Sequence, residues 1–395
     1  MVERWHLMAE SPRVLWGRVL TDGRELPPSR IEIGDGRVTR IEAASRPADA
    51  DIVVDAGWIA PGLIDLQVNG AAGADLTAAD DPRAALRRVA QALAQHGVTA
   101  FCPTIVSSPL ALILDRIGVY AAQRIGGGAE SLGAHVEGPF LDPQHRGVHE
   151  PHVLRDATRD EIQRWLETGR PAIVTLAPER PGALDAIRQL RAASVVVSLG
   201  HSGADKDQAR DGLDAGATMA THLFNAMPPL HHRGPGLVGA LLASQARLGV
   251  IADGIHFDPL MLDLVVRSAG VARVILVSDA LAAAAAGPGQ FVLGEQTVIS
   301  DGRTVRRTDG TLAGSALLLD GCLRNARAWL PQLSPAEIVR MATQTPAEAL
   351  GLQRKGRVAV GADADLVILD PDWQVRQTLV GGTLVPSAAS VEVPA

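Results

Sequence analysis

Residues 195–227, VVVSLGHSGADKDQARDGLDAGATMATHLFNAM, contain two short apolar runs, and each turns polar at a histidine, first His201 and then His222. Moving outward, GAHVEGP (133–139) ends its run at Glu137 and VILVSDA (274–280) ends at Asp279. A continuous apolar run marks a strand buried on both faces, as in a parallel sheet covered by helices. When such strands close into a barrel, their C-terminal ends open onto one face, and side chains distant in sequence meet there. The four residues therefore read as parts of one site at a barrel mouth.

Between residues 59 and 350 about eight strand-like runs follow one another: GLIDLQVNG (62–70), GVTAFCPTIV (97–106), SLGAHVEGPF (131–140), PAIVTLAPE (171–179), SVVVSLGHS (194–202), ATMATHLFNAM (217–227), LGVIADGIH (248–256) and ARVILVSDA (272–280). Amphipathic stretches such as DPRAALRRVAQALAQHG (81–97) and SPAEIVRMATQTPAEALG (334–351) alternate with them, the signature of repeated βα units. The second stretch predicts a helix with Ser334 as N-cap, Pro335 at its first position and Glu337 closing a capping box. Both flanks read differently. Residues 13–56 and 355–385 alternate without a helical period and carry the turn pairs Asp22-Gly23, Asp35-Gly36 and Gly381-Gly382. The expected fold is α/β: a (β/α)8 TIM-like barrel over residues 59–351, with a small β-sandwich built jointly from 1–58 and 352–395.

At 395 residues the chain is long enough for a barrel plus a smaller domain, and its net charge of −7 with scattered basic residues argues against a nucleic-acid surface. Its two cysteines, Cys102 and Cys322, lack the spacing of a thiolate metal site or a disulfide framework, so a reducing cytoplasm is expected. No stretch approaches the roughly 18 apolar residues of a membrane span, and MVERWHLMAESPR (1–13) is broken by polar groups where a signal peptide needs an apolar core. A soluble enzyme with a small-molecule substrate and no membrane or nucleic-acid partner is the expectation.

Catalytic divalent metals take about three protein ligands from histidine and carboxylate and keep one position open. Glu137, His201 and His222 supply such a set. Taken singly, each has an ordinary alternative as a hydrogen-bonded or capping residue; three ligand types at three strand ends favour a metal. Asp279, at the end of the last strand, suits a general base for water acidified by the ion, and its ordinary alternative is an N-cap on the alanine-rich segment after it. His149 and His256 lie just past the third and seventh strands, where both can face a substrate and the first can polarise a carbonyl. Arg233 suits a phosphate or carboxylate, whose geometry its planar fork matches. The only lysines, Lys206 and Lys355, end no barrel strand, which removes support for a Schiff-base aldolase or a metal pair bridged by a carboxylated lysine. Gln67 and Asn69 stand where a second metal would want His-x-His, so one metal is expected, with Zn2+, Fe2+, Co2+ and Mn2+ all chemically open.

These segments, in order from PGLIDLQVNG through HVEGPF, RGVHEP, LAPE, GHS, ATHLFNAM, PGLVGALL, IADGIH, LVSDA and GTLAGSAL to GADADLVILD, resemble the N-acetylglucosamine-6-phosphate deacetylases of the amidohydrolase superfamily along nearly the whole chain. The resemblance implies hydrolysis of the acetamide of N-acetylglucosamine 6-phosphate to glucosamine 6-phosphate and acetate, by a cytoplasmic homodimer holding one divalent metal, zinc in the first instance. It matches Glu137, His201 and His222 to the metal ligands, Asp279 to the catalytic acid/base and His149 to the residue that polarises the acetyl carbonyl. It matches Val148, Asn225, Ala226, Leu312, Ala313 and Gly314 to the substrate-lining wall, and Arg233 and His256 to groups that hold the phosphorylated sugar across a dimer interface. The Gln67/Asn69 pair matches the one-metal subset. Two segments differ from the usual run, LHHRGPG (230–236), with no acidic residue after its arginine, and the alanine-rich LAAAAAGPG (281–289). Rival readings are the same chemistry on N-acetylgalactosamine 6-phosphate or a non-phosphorylated acetamido sugar, and a non-catalytic scaffold.

Overall fold

A computed structural model of the chain describes residue 11 and residues 13–386. Residues 1–10, residue 12 and residues 387–395, assigned above to the small β unit, lie outside the described residues. Eight parallel strands form the barrel: β5 (Leu63–Val68), β6 (Val98–Val106), β7 (His135–Glu137), β8 (Ile173–Leu176), β9 (Val196–Leu199), β10 (Met219–Ala220), β11 (Arg247–Val250) and β12 (Val274–Leu276). Each pairs with the next in register, and β12 returns to β5 through the parallel bridge of Ala280 to Val68. All eight expected runs are present. Every residue of β6, a nine-residue strand, is buried, as a strand enclosed on both faces requires. Its alternate residues Ala100 and Cys102 point inward beside Ile64, Leu66, Ile173, Met219 and Ile275, so the barrel is a packed core rather than a pore.

Helices α1 (Pro82–Gln95), α2 (Leu110–Val119), α3 (Arg159–Thr168), α4 (Ala183–Ala192), α5 (Lys206–Ala215), α6 (Gly236–Leu242), α7 (Pro259–Ala269) and α8 (Leu319–Trp329) surround the strands. Their starts follow from local chemistry: Asp81 and Asp258 accept backbone N–H groups at the starts of α1 and α7, each with proline in the first turn, and Asp205 forms a full capping box with Gln208.

Two expectations need correction. The segment 334–351 is not one helix but two, α9 (Pro335–Arg340) and α10 (Gln344–Ala349), although the Ser334/Glu337 capping box is present. Pro346 cannot return an N–H to the Ala342 carbonyl four residues back, and that carbonyl instead accepts the N–H of Ile64 on β5. The Met341 carbonyl likewise accepts from Leu276 on β12. The helix breaks where its carbonyls serve the barrel strands. The second correction concerns residues 289–315, placed above within the βα repeat: they form a four-stranded antiparallel meander, β13 (Gly289–Leu293), β14 (Gln296–Ser300), β15 (Thr304–Arg307) and β16 (Leu312–Ser315). The alanine-rich run before it is a turn, buried through Ala284 and exposed at Ala285 and Ala286, and not a helix, so Asp279 caps nothing.

The flanks meet in one seven-stranded sheet, in which β1 (Val14–Thr21), β2 (Arg24–Gly34), β3 (Arg37–Ala43) and β4 (Ile52–Pro61) are joined by β17 (Leu366–Leu369), β18 (Val375–Val380) and β19 (Thr383–Leu384). The hairpins turn at Asp22-Gly23, Asp35-Gly36 and Gly381-Gly382, all six residues with positive φ, as primed turns demand. The layers of the sandwich belong to this single sheet, which curls until Val38 exchanges backbone bonds with Gly361 and Ala362. Leu15, Val19, Ile31, Ile59, Leu366 and Leu379 fill the space enclosed.

One buried cation ties this sheet to the barrel. Lys355 Nζ lies 2.9 Å from Glu130, 3.5 Å from Asp363 and 2.7 Å from Asp365. Glu130 pairs with Ala100 near the start of β6, away from the end that carries the site. Removing one partner of a buried ion cluster leaves uncompensated charge, which costs about 3–5 kcal/mol. Lys355→Met is therefore expected to lower stability by about 3 kcal/mol in chemical denaturation; an unchanged midpoint would show that the cluster does not join the two parts.

Candidate active site

Glu137 is the last residue of β7, His201 lies just past β9, His222 just past β10 and Asp279 just past β12. Glu137 Oε1 is 3.2 Å from His201 Nε2 and 3.0 Å from His222 Nε2, and the two Nε2 atoms are 3.1 Å apart. All three residues are buried, with their ligand atoms within 4.8 Å of one another. His201 Nδ1 donates to the His145 carbonyl at 2.9 Å, which leaves the Nε2 lone pair of the neutral ring aimed at the cluster. Two imidazole nitrogens and a carboxylate oxygen facing one point fit a divalent cation. Burial opposes the Glu137 charge, but the two histidines beside it outweigh burial and hold the carboxyl well below its usual value.

Gln67 Nε2 donates to Glu137 Oε1 at 3.1 Å and Asn69 Nδ2 donates to Asp279 Oδ1 at 2.7 Å. Each amide thus aims an N–H donor at a carboxylate, where a second cation would want a lone pair. Burial, reinforced by the Glu137 charge, pushes Asp279 up to about 7; a cation beside it acts in the opposite sense.

Three of these four residues sit on strained backbone: φ is +49° at His201, +28° at His222 and +49° at Asp279. Non-glycine residues adopt this region only where the surroundings insist. Each carbonyl is taken by a backbone N–H from beyond its strand, from Asp142 to His201, from Asn225 to His222 and from Ser315 to Asp279. The last contact explains Gly314, where a Cβ would lie 2.7 Å from the Asp279 carbonyl oxygen.

A cavity of about 360 Å³ opens above the cluster. It brings together Glu137, Val148, His149, His201, His222, Asn225, Ala226, His256, Asp279, Leu312 and Gly314 from the sequence reading, together with Asn69. Two residues stay apart. Ala313 is buried in the core of the meander, and Arg233 is exposed on its loop, off the cavity wall and without a salt bridge among the described residues. Gln144, His145, Thr311 and Leu293 line the cavity without having been singled out. Leu293 and Thr311 come from the meander, which the βα pattern concealed.

His149 Nδ1 accepts the Ser107 N–H at 3.2 Å, so the neutral ring carries its proton on Nε2. Burial, with the neighbouring His201 acting in the same direction, lowers its pKa to about 3. A neutral imidazole that donates from Nε2 is suited to a carbonyl oxygen gaining charge. His256 is held by Asp253, whose Oδ2 lies 2.8 Å from its Nδ1.

A sequence profile of the amidohydrolase family matches residues 58–385, the whole barrel included, and the chain belongs to that family. In sequence it is similar to the N-acetylglucosamine-6-phosphate deacetylase of Bos taurus, 40% identical over 94% of this chain and 91% of that protein. It is also similar to the N-acetylgalactosamine-6-phosphate deacetylase of Escherichia coli O157:H7, at 38% identity over 93% of this chain and 97% of the relative. Among solved structures it resembles a mutant of the N-acetyl-D-glucosamine-6-phosphate deacetylase from Mycobacterium smegmatis in complex with N-acetyl-D-glucosamine-6-phosphate, with TM-score 0.88, 34% identity and coverage of 95% and 100%.

The Ser107 contact and the low pKa together predict that His149 remains the neutral Nε2–H tautomer from pH 8 down to about 5. Nitrogen-15 NMR of the imidazole distinguishes the forms, and a His149 imidazolium at pH 6 would contradict the assignment.

Proposed function

We propose that the chain hydrolyses the acetamide of N-acetyl-D-glucosamine 6-phosphate to D-glucosamine 6-phosphate and acetate, as a cytoplasmic homodimer with one zinc ion per subunit. Residues 59–351 form the catalytic unit in this reading, and 1–58 with 352–395 the supporting one. The observation that carries it is the meeting of Glu137, His201, His222, Asp279 and His149 around one cavity, in a chain 40% identical to a deacetylase of this substrate. Among the described residues no helix is long and apolar enough to cross a membrane.

Glu137, His201 and His222 would hold the ion, which when bound supplies Lewis acidity to water and to the acyl oxygen. His149 donates its Nε2 proton as a hydrogen bond to the acetyl oxygen while negative charge builds there. Asp279 accepts a proton from the attacking water and delivers it to the amide nitrogen as the C–N bond breaks, so the amine leaves neutral. Asn69 fixes the Asp279 carboxylate through Oδ1 during both transfers. Val148, Asn225, Ala226, Leu312 and Gly314 form the sugar wall with His256, and Ala313 supports it from behind. Arg233 is the anion-binding group for the 6-phosphate, acting from its exposed loop across the dimer interface.

Asp279→Asn is expected to lower kcat by about 10²–10⁴-fold with folding intact, measured as acetate release beside a circular-dichroism spectrum; a near-normal kcat would remove Asp279 from the reaction. The similarity to an N-acetylgalactosamine-6-phosphate deacetylase supports a second reading, with the epimeric sugar as substrate. Acetate release from both 6-phosphates and from both free N-acetyl sugars separates the readings. In the same assay Arg233→Ala is expected to raise KM for the phosphorylated sugar about 10–100-fold, the worth of a hydrogen bond between charged groups, and to leave the free sugar unaffected. An unchanged KM for the 6-phosphate would exclude Arg233 from phosphate recognition.

A further inference from the structure

We infer that Glu179 is a positioning residue for the metal ligand His201, a role that rests on the metal reading of Glu137, His201 and His222. Glu179 stands three residues past β8 in the LAPE segment, lines no part of the cavity and touches none of the ligand atoms. Both of its carboxylate oxygens are engaged by the two residues that follow His201. Oε2 accepts the Ser202 hydroxyl at 2.7 Å and Oε1 accepts the Gly203 N–H at 2.8 Å. The Ser202 oxygen in turn accepts the Ala204 N–H at 3.1 Å, so the grip extends through the whole turn.

The turn needs holding, because His201 has a φ of +49° and a side-chain-bearing residue leaves that region when its neighbours relax. A second hold comes from the segment after β7. There the Asp142 N–H donates to the His201 carbonyl at 3.0 Å, and the His145 carbonyl accepts from His201 Nδ1. Gly203 is pressed so closely against that segment that a Cβ would meet Asp142 Oδ2 and the His145 ring at 2.9 Å. Glu179 therefore keeps the turn seated from the β8 side, with charge-assisted bonds stronger than neutral ones. Partners one step behind a metal ligand commonly change metal affinity by 10–100-fold.

Zinc alone is the probe. Metal-free protein and each variant are titrated with zinc against a chromophoric chelator, and melting is followed with and without the ion. Glu179→Ala is expected to weaken zinc binding by about 10-fold or more and to shrink the rise in Tm on adding zinc, while the metal-free Tm stays near the wild-type value. Glu179→Gln can still accept from Gly203 and donate to Ser202, and is expected to bind zinc within about threefold of wild type. Should Glu179→Ala fail to fold, Ser202→Ala removes one of the two contacts and is expected to weaken zinc binding measurably. Wild-type zinc affinity in Glu179→Ala or Ser202→Ala would overturn the inference, as would equal losses of Tm with and without the ion. A wild-type protein that binds no divalent ion would instead overturn the metal reading itself, so the two failures are distinguishable.

Discussion

The mouth of the barrel is organised by a single buried carboxylate. Glu137 lies out of water beside a second acid, Asp279, and a buried charge persists only when paired or fully hydrogen-bonded. One of its oxygens lies against Gln67, His201 and His222 together, from three other barrel strands. Each of those strand ends must therefore arrive at a fixed height around the barrel. Parallel register supplies that height: Glu137 pairs with Val106 on one side and Thr175 on the other, and the same ladder runs on through Ser198 and Met219 to the residues before His222.

The same requirement explains why the strands end as they do. A strand of ordinary geometry would send alternate side chains in and out, whereas His201, His222 and Asp279 each turn into the left-handed region at the last step. That turn exposes a carbonyl in every case, and a backbone N–H from beyond the strand takes each one. Loops that look like coverings therefore act as braces. The meander is the clearest example, because β16 both supplies Leu312 to the cavity and braces Asp279 through Ser315, an approach that only glycine at position 314 permits.

The barrel was legible in the sequence because its strands are buried on both faces, and an unbroken apolar run survives inspection without knowledge of the fold. The buried cluster of Glu137, His201 and His222 was legible for a related reason: a histidine or carboxylate that closes such a run is conspicuous. The meander was not, since β13 is mostly exposed and β14 and β15 bury only one or two residues each, over four or five positions inside a long βα pattern. The break at 341–343 was concealed by a good helical period and a genuine capping box at Ser334, while its cause lies in hydrogen bonds to β5 and β12, far away in sequence. Glu179 and His145 carry no local signal at all, because their partners at the His201 turn are defined only once β7, β8 and β9 stand side by side.

The charge on the cavity wall bears directly on how a phosphorylated substrate could be held. Among the described residues, those lining the cavity include two carboxylates, Glu137 and Asp279, and no lysine or arginine. A cation at the ligand cluster would offset Glu137 but lies at the reacting end, where the acetamide must sit. The rest of the wall offers imidazoles and amides, with no guanidinium or ammonium to face a dianion. Arg233 is free of a salt bridge among the described residues and carried on an exposed loop that follows directly from the segment bearing His222, Asn225 and Ala226. An arginine so placed, off the wall of its own cavity, reaches that cavity only if the loop that carries it moves.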